Sequence, residues 1–282
     1  MLARRLSLIL ITAIWGSTFL IVKQAITVLP PFWFIAIRFG IATLVILPWA
    51  LRDKKSLPWK KAIFAGIWLF AAFGLQTLGM KFTGPDRAAF LTSLNILFIP
   101  ILTAVWYRKP IPRILWGISM MVVIGLALLL SPHGGINAGD FMVLGTAVAL
   151  AGQVLATADL PQQSSLMKFT AVELGITALL SLIPAGFQHL PSLSPGIVLS
   201  LLYTGAIASA IAMFVQTWAQ TRLSSFETGL IFTLEPLFAV IIGVTIGHRS
   251  LSAVGVFGAG LMISGLIWHE VASTSHRTQK LD

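Results

Sequence analysis

Cysteine is absent from the 282 residues, and acids are scarce: nine Asp and Glu stand against nineteen Lys and Arg. Without cysteine there are no disulfides, no CxxCH haem attachment and no thiolate metal site, and the compartment stays open. Charged residues make up 10% of the chain, where a soluble domain carries roughly 25%. That is too few to coat a water-soluble surface of this size. Catalytic signatures are missing too: no HExxH, no paired His/Asp cluster and no G-x-S-x-G elbow. His133, His189, His248, His269 and His276 fall in loops or at the ends of apolar runs. No glycine loop for ATP occurs. No enzyme, metal or cofactor is expected, and no ATP-driven pump unless a partner supplies the motor.

What fills the chain is apolar. Hydrophobic residues make up 57%, and the mean hydropathy is +0.91. An all-α integral membrane protein follows. Runs long enough to cross a bilayer lie at about 5–23, 31–50, 62–81, 87–106, 112–130, 140–158, 169–187, 196–219, 226–247 and 251–270. The sixth is rich in small residues and only just long enough. Breakers punctuate the connections, among them Pro30-Pro31, Gly84-Pro85, Pro110, Pro112, Ser131-Pro132, Pro161 and Pro195. Arg4 and Arg5 before an apolar run resemble a signal peptide. Trp15, Phe19 and Ile21 occupy the cleavage region, so this reads as an uncleaved first span.

Basic residues orient the spans. With the N-terminus inside, the inner ends hold fourteen Lys and Arg: Arg4, Arg5, Arg52, Lys54, Lys55, Lys60, Lys61, Arg108, Lys109, Arg113, Lys168, Arg222, Arg277 and Lys280. The outer ends hold four, Lys23, Lys81, Arg87 and Arg249, while Arg38 lies within a span. This positive-inside asymmetry predicts an even number of spans and cytoplasmic termini. The net charge of +10 is therefore an orientation signal rather than a nucleic-acid footprint.

The chain also repeats itself. At an offset of 140, Gln76-Thr77 recurs as Gln216-Thr217, Leu97-Phe98 as Leu237-Phe238 and Gly125-Leu126 as Gly265-Leu266. At an offset of 136, Gly16 matches Gly152 and Pro48 matches Pro184. Five spans per half is odd, so the second half inserts upside down. The expectation is two inverted five-helix repeats, 1–135 and 136–271, with a cytoplasmic tail at 272–282. Secondary transporters built this way bind substrate near the midplane between the halves.

Polar residues inside the spans are the candidate ligands. Glu235, followed by Pro236, lies near the middle of the ninth span, opposite Asn95 in the fourth. It suits a cation-binding or proton-carrying role, or a structural bond beside a proline-loosened helix. Arg38 could fork onto a substrate carboxylate, and Glu173 lies at nearly the mirrored depth; either could instead snorkel to its interface. Gln76 and Gln216 can serve a zwitterion or tie helices together. Asn95 with Thr92, and Gln153 with Thr157, each share one helix face. Trp15 is too deep for the interfacial belt and either packs on a neighbour or walls a cavity. Trp33, Trp49, Trp59, Trp106, Trp116 and Trp268 fit the belt. The glycines of the last three spans suit close packing, and Gly16 could let its helix bend.

The chain resembles the EamA family of the drug/metabolite transporter superfamily. The likeness rests on Ile14-Trp15-Gly16-Ser17-Thr18-Phe19, on Pro31 through Arg38-Phe39, and on Ala88-Ala89-Phe90-Leu91-Thr92 with Pro100. It rests most on Gln220-Thr221-Arg222 leading to Leu234-Glu235-Pro236-Leu237-Phe238, then Gly247 and Gly258/Gly265. Where the family often has Gly-Glu before the fifth and tenth spans, this chain has Arg108-Lys109 and His248-Arg249. The resemblance implies a central cavity lined mainly by the first four helices of each half, and export or exchange of small metabolites, often amino acids. The resulting expectation is an alternating-access amino-acid exporter of a bacterial-type inner membrane. Its partners would be a small-molecule substrate, membrane lipid, and a proton or counter-substrate, with the chain a monomer or homodimer. Trp15, Arg38, Gln76, Asn95, Gln153, Gln216 and Glu235 are the candidate substrate ligands. A multidrug or cationic-compound exporter is the alternative, and a membrane-embedded lipid-modifying enzyme or sensor subunit a remoter one.

Overall fold

The structure, a computed structural model, describes residues 1–108, 110–130, 135–245 and 252–278, with side chains through Ala272. The readings placed on Lys109, His133, Gly247, His248, Arg249 and the tail beyond 278 lie outside these residues, as do the side chains of His276 and Arg277. Among the described residues ten helices are long and apolar enough to span a bilayer. They are α1 (Leu2–Ala25), α2 (Pro31–Arg52), α3 (Trp59–Gly79), α4 (Pro85–Tyr107) and α5 (Arg113–Leu130) in the first half. The second half holds α6 (Ala138–Thr157), α7 (Leu166–Ala185), α8 (Pro195–Gln220), α9 (Ser225–Thr245) and α10 (Ala253–Thr278).

Local chemistry explains where the helices start. Pro31, Pro85 and Pro195 open α2, α4 and α8, where a missing N–H costs nothing. Ser165, Ser194 and Ser224 accept a backbone N–H at the starts of α7, α8 and α9. Asn137 and Asp140 form a reciprocal capping box on α6. Three helices are irregular near the midplane. α4 breaks at Leu94. α9 breaks at Thr233 and Leu234, one residue ahead of Glu235, because Pro236 has no N–H for the Phe232 carbonyl. In α8, residues Tyr203–Ile211 form a π-helical segment.

Helix pairing brings the two halves together. α2 packs on α7, α4 on α9 and α5 on α10, while α3 packs on α6 and α1 on α8. A two-fold relation between the halves would produce this pattern. Loops of alternate sides meet at opposite ends. At one end Lys61 donates to the carbonyls of Ala158 and Asp159, Lys168 to that of Lys55, and Arg5 bridges Glu227 and Glu270. At the other end Lys23 reaches the Met80 and Thr83 carbonyls and Arg87 pairs with Asp140 at 2.8 Å. The small-residue run of α6 now has its reason: 61% of its apolar window is buried, more than for any other span. Large apolar side chains such as Leu10, Leu20, Leu44, Val105 and Leu179 are exposed around the rim, as lipid contact requires.

Glycines set the closest approaches. A Cβ on Gly16 would lie 2.8 Å from the Glu235 carbonyl oxygen, so Gly16 is a contact between α1 and α9 and not a free hinge. Gly258 and Gly265 are packed equally tightly, while nothing lies within 4 Å of a Cβ on Gly260. On Gly125 a Cβ would lie 2.7 Å from the Gly258 carbonyl oxygen, so α5 and α10 touch backbone to backbone. In contrast Arg108 ends α4 at φ 51, a left-handed conformation that suits glycine. Two substitutions should therefore move stability in opposite directions. Gly125→Val is expected to cost about 1–3 kcal/mol by overpacking, and Arg108→Gly to add about 1 kcal/mol by relieving the left-handed strain. Thermal unfolding in detergent, followed by tryptophan fluorescence, measures both; equal midpoints for the two variants would refute the packing account.

Candidate functional site

A cavity of about 50 Å³ lies between the halves near the midplane. Trp15, Arg38, Gln76, Asn95, Gln153, Gln216 and Glu235 all line it. The lining comes from α1, α2, α3 and α4 and from α6, α8 and α9. Among the described residues no lining residue belongs to α7, so seven of the eight helices that the resemblance puts around the cavity line it. The reason is Glu173 of α7, which stands behind Gln153 and not at the wall.

Arg38 is held rather than snorkelled. It is 2% exposed, and its Nε donates to Ser209 Oγ at 2.8 Å. Its guanidinium lies 4.7 Å from the Phe73 ring centroid and 5.4 Å from that of Phe39, and such desolvated cation–π contacts are worth about 2 kcal/mol. Ser209 belongs to the π-helical segment of α8. So does Ala208, whose carbonyl accepts from Trp15 Nε1 at 2.7 Å. A π segment shifts the hydrogen-bond register and frees backbone acceptors at just such places. The Trp15 ring meets Phe232 edge-on at 5.1 Å. Trp15 therefore both packs on neighbours and walls the cavity.

Glu235 lies at the break in α9 and is partly exposed to the cavity. Arg38 and Glu235 line the same cavity, yet among the described residues no ion pair joins them. The cavity thus presents one cation and one carboxylate that have not collapsed on each other. On the same lining, Gln76 Nε2 donates to Thr92 Oγ1 at 3.2 Å. Asn95 is 2% exposed, and its Oδ1 is a buried acceptor without a partner among the described residues.

The other wall is an amide network. Gln216 Nε2 donates to Gln153 Oε1 at 2.9 Å and to Gln220 Oε1 at 3.0 Å. Gln153 Nε2 donates in turn to Glu173 Oε1 at 2.6 Å and to Thr157 Oγ1 at 3.1 Å. Glu173 is wholly buried and does not snorkel, and its Oε2 has no hydrogen-bond partner. Thr217, beside Gln216, turns away to Thr170 Oγ1. Sequence reasoning missed Ser209, Thr18 and Thr146. Each is a small hydroxyl residue in an apolar run, with no spacing signal to separate it from a helix-stabilising serine or threonine.

A double-mutant cycle tests the network. Gln153→Met strips Glu173 Oε1 of its donor and is expected to cost about 1–3 kcal/mol. Adding Glu173→Leu should restore much of that loss in thermal unfolding. Additive losses would mean that the 2.6 Å contact contributes nothing.

The comparisons with known proteins agree with this architecture. The description "EamA-like transporter family" matches residues 5–131 and again 137–269. An uncharacterized transporter of Archaeoglobus fulgidus is 29% identical over 266 residues, 93% of this chain and 84% of that protein. The uncharacterized transporter YwfM of Bacillus subtilis is 28% identical, covering 94% and 92%. The WAT1-related chloroplastic protein At3g02690 of Arabidopsis thaliana is 23% identical, covering 88% and 65%. A protein known from its crystal structure superposes with a TM-score of 0.78 over 96% of both chains at 19% identity, a likeness of fold. Two family matches, one on each half of a ten-span membrane protein, place this chain in the EamA-like transporter family.

Proposed function

We propose that the chain is an alternating-access carrier that exports small zwitterionic metabolites, amino acids above all, across a bacterial-type inner membrane. The observation that carries this reading is the separated pair in the cavity. Arg38 is positioned for a carboxylate, which a guanidinium binds through two parallel N–H bonds. Glu235 and the unpartnered Asn95 Oδ1 are positioned for an ammonium. Had the two charges formed an ion pair, neither would be free for a ligand. Gln76, Gln153 and Gln216 supply neutral donors and acceptors for the rest of the head group, and Trp15 walls the side.

The cavity is small, so a substrate with a side chain needs the helices to part. In this reading the halves 1–135 and 136–271 are inverted repeats that rock against each other, with both termini cytoplasmic and a proton or counter-substrate returning. The basic residues of the inner loops support the orientation. The pairing of α2 with α7, α4 with α9 and α5 with α10 supports the repeat. A carrier of cationic compounds is the second reading. Glu235 alone favours it; Arg38 in the same cavity speaks against it.

Purified protein in liposomes tests the choice. Counterflow of amino acids is expected, and Arg38→Gln should raise KM roughly tenfold to hundredfold, the equivalent of losing about 1.5–3 kcal/mol of charged hydrogen bonding. Amines without a carboxylate should not feel Arg38→Gln. No accelerated flux across a broad amino-acid panel would sink the reading, and flux of carboxylate-free amines alone would install the second. Should Glu235 also carry the coupling proton, Glu235→Gln would abolish uptake driven by a pH gradient while exchange persists at a raised KM, the loss of its charge to the ammonium.

A further inference from the structure

A second and larger cavity, of about 330 Å³, lies apart from the first. Its wall includes Tyr107, Asp159, Ser225, Gln220, Ile99 and Leu155. These come from the end of α4, the end of α6, the end of α8 and the start of α9. All belong to the end of the bundle that holds the N-terminus: Arg4 donates to Thr221 Oγ1, Arg5 pairs with Glu227, and Tyr107 Oη donates to Asp159 Oδ2 at 3.2 Å. This is the end the basic residues assign to the cytoplasm.

The two cavities are separated by a thin barrier. Gln153 and Gln216 face the central cavity, and Gln220, one turn beyond Gln216, faces the second. Gln220 Oε1 accepts from Gln216 Nε2 at 3.0 Å, and Gln220 Nε2 donates to the Val154 carbonyl at 2.9 Å. Gln220 therefore ties α8 to α6 through the Val154 carbonyl, while its oxygen holds Gln216 on its own helix. Beside this layer, Ile99 lies one turn past Asn95 on α4 and presses into α9. A Cβ on Gly229 would lie 2.1 Å from Ile99 Cδ1. This amide layer and the buried apolar cluster that holds Ile99, with Ile96, Val154 and Leu230, close the space between cavities.

We propose that the second cavity is the inner vestibule of the transport path and that Gln220 is the bolt between it and the central cavity. The vestibule would admit the same zwitterionic substrates; that part rests on the function proposed above, while the barrier itself does not. Amides suit the task chemically. Each offers a donor and an acceptor without net charge, so opening exposes no unpaired ion. The freed groups can bond the passing ammonium and carboxylate, exchanging one set of hydrogen bonds for another. An apolar plug could make no such exchange.

The chain has no cysteine, so an introduced one is its single thiol. Ser225→Cys reports on the second cavity, and Leu150→Cys, which lines the central cavity one turn from Gln153, reports beyond the barrier. Inside-out vesicles are treated with a small membrane-impermeant methanethiosulfonate. Ser225→Cys should react from this face at a rate that Gln220→Met leaves unchanged. Leu150→Cys should react slowly, and about fivefold faster with Gln220→Met, the factor one net hydrogen bond represents. If Gln220→Met fails to give monodisperse protein, Gln220→Asn, which shortens the amide's reach, must move the rate in the same direction. Equal Leu150→Cys rates with and without the folded Gln220 variant would overturn the bolt. Reaction of Ser225→Cys from the outer face only would overturn the vestibule. Neither readout depends on flux, so the absence of amino-acid transport would count against the substrate reading alone.

Discussion

The hydrocarbon core of a membrane offers no hydrogen bonds, so every polar group placed there must be satisfied by protein or by an enclosed aqueous space. That constraint organises the interior of this transporter-family protein. Arg38, Glu173, Glu235 and four glutamines lie within or at the ends of apolar spans, and none of them points outward into lipid. Arg38 bonds Ser209 and sits among aromatic rings. Glu173 takes the amide of Gln153. Gln153, Gln216 and Gln220 take one another, and Gln76 takes Thr92. Glu235 looks into the cavity. The helices are held by apolar packing, but which faces meet is selected by these pairings, because exposing any one of them to lipid would cost several kcal/mol.

Irregular backbone completes the site. A regular α8 would keep its carbonyls in the intrahelical ladder. The π segment from Tyr203 to Ile211 presents Ala208 and Ser209 to Trp15 and Arg38 instead. The Arg38 guanidinium is thereby anchored away from Glu235. The break at Thr233–Leu234 does the corresponding work in α9, letting the carboxylate begin a new helical segment at the cavity wall. Gly16 allows α1 to press against that same segment, where any side chain would collide with the Glu235 carbonyl. Two opposite charges thus share one small cavity with no ion pair between them among the described residues.

Much of this was legible before the fold was known. Spans follow from apolar length, and their ends from Pro31, Pro85, Pro195 and the serine caps. The seven polar or aromatic residues at midplane depth were recognisable because groups of that kind have few other places to go in a membrane helix. Three things were not legible. Glu173 and Gln153 look alike in sequence, as lone polar residues in apolar runs, yet one lines the cavity and the other stands behind it. The close approach of the Glu235 backbone to Gly16 was hidden, because sequence does not say what lies opposite a glycine. The irregularity of α8 carries no proline or glycine pair to announce it, only Gly205, whose missing Cβ lets the backbone of α2 approach.

The sequence by itself determined the class of protein, the number and ends of its spans and the depth of its polar residues, since hydropathy, capping and charge asymmetry act over a few neighbouring residues. Only the tertiary structure decided which polar faces meet. Arg38 finds Ser209 across 171 residues of chain and Trp15 finds Ala208 across 193. Such contacts depend on the rotation and spacing of whole helices, set by close approaches at Gly16, Gly125 and Gly205. A hydrogen bond fails when displaced by an ångström, and no local pattern in the chain carries position to that accuracy.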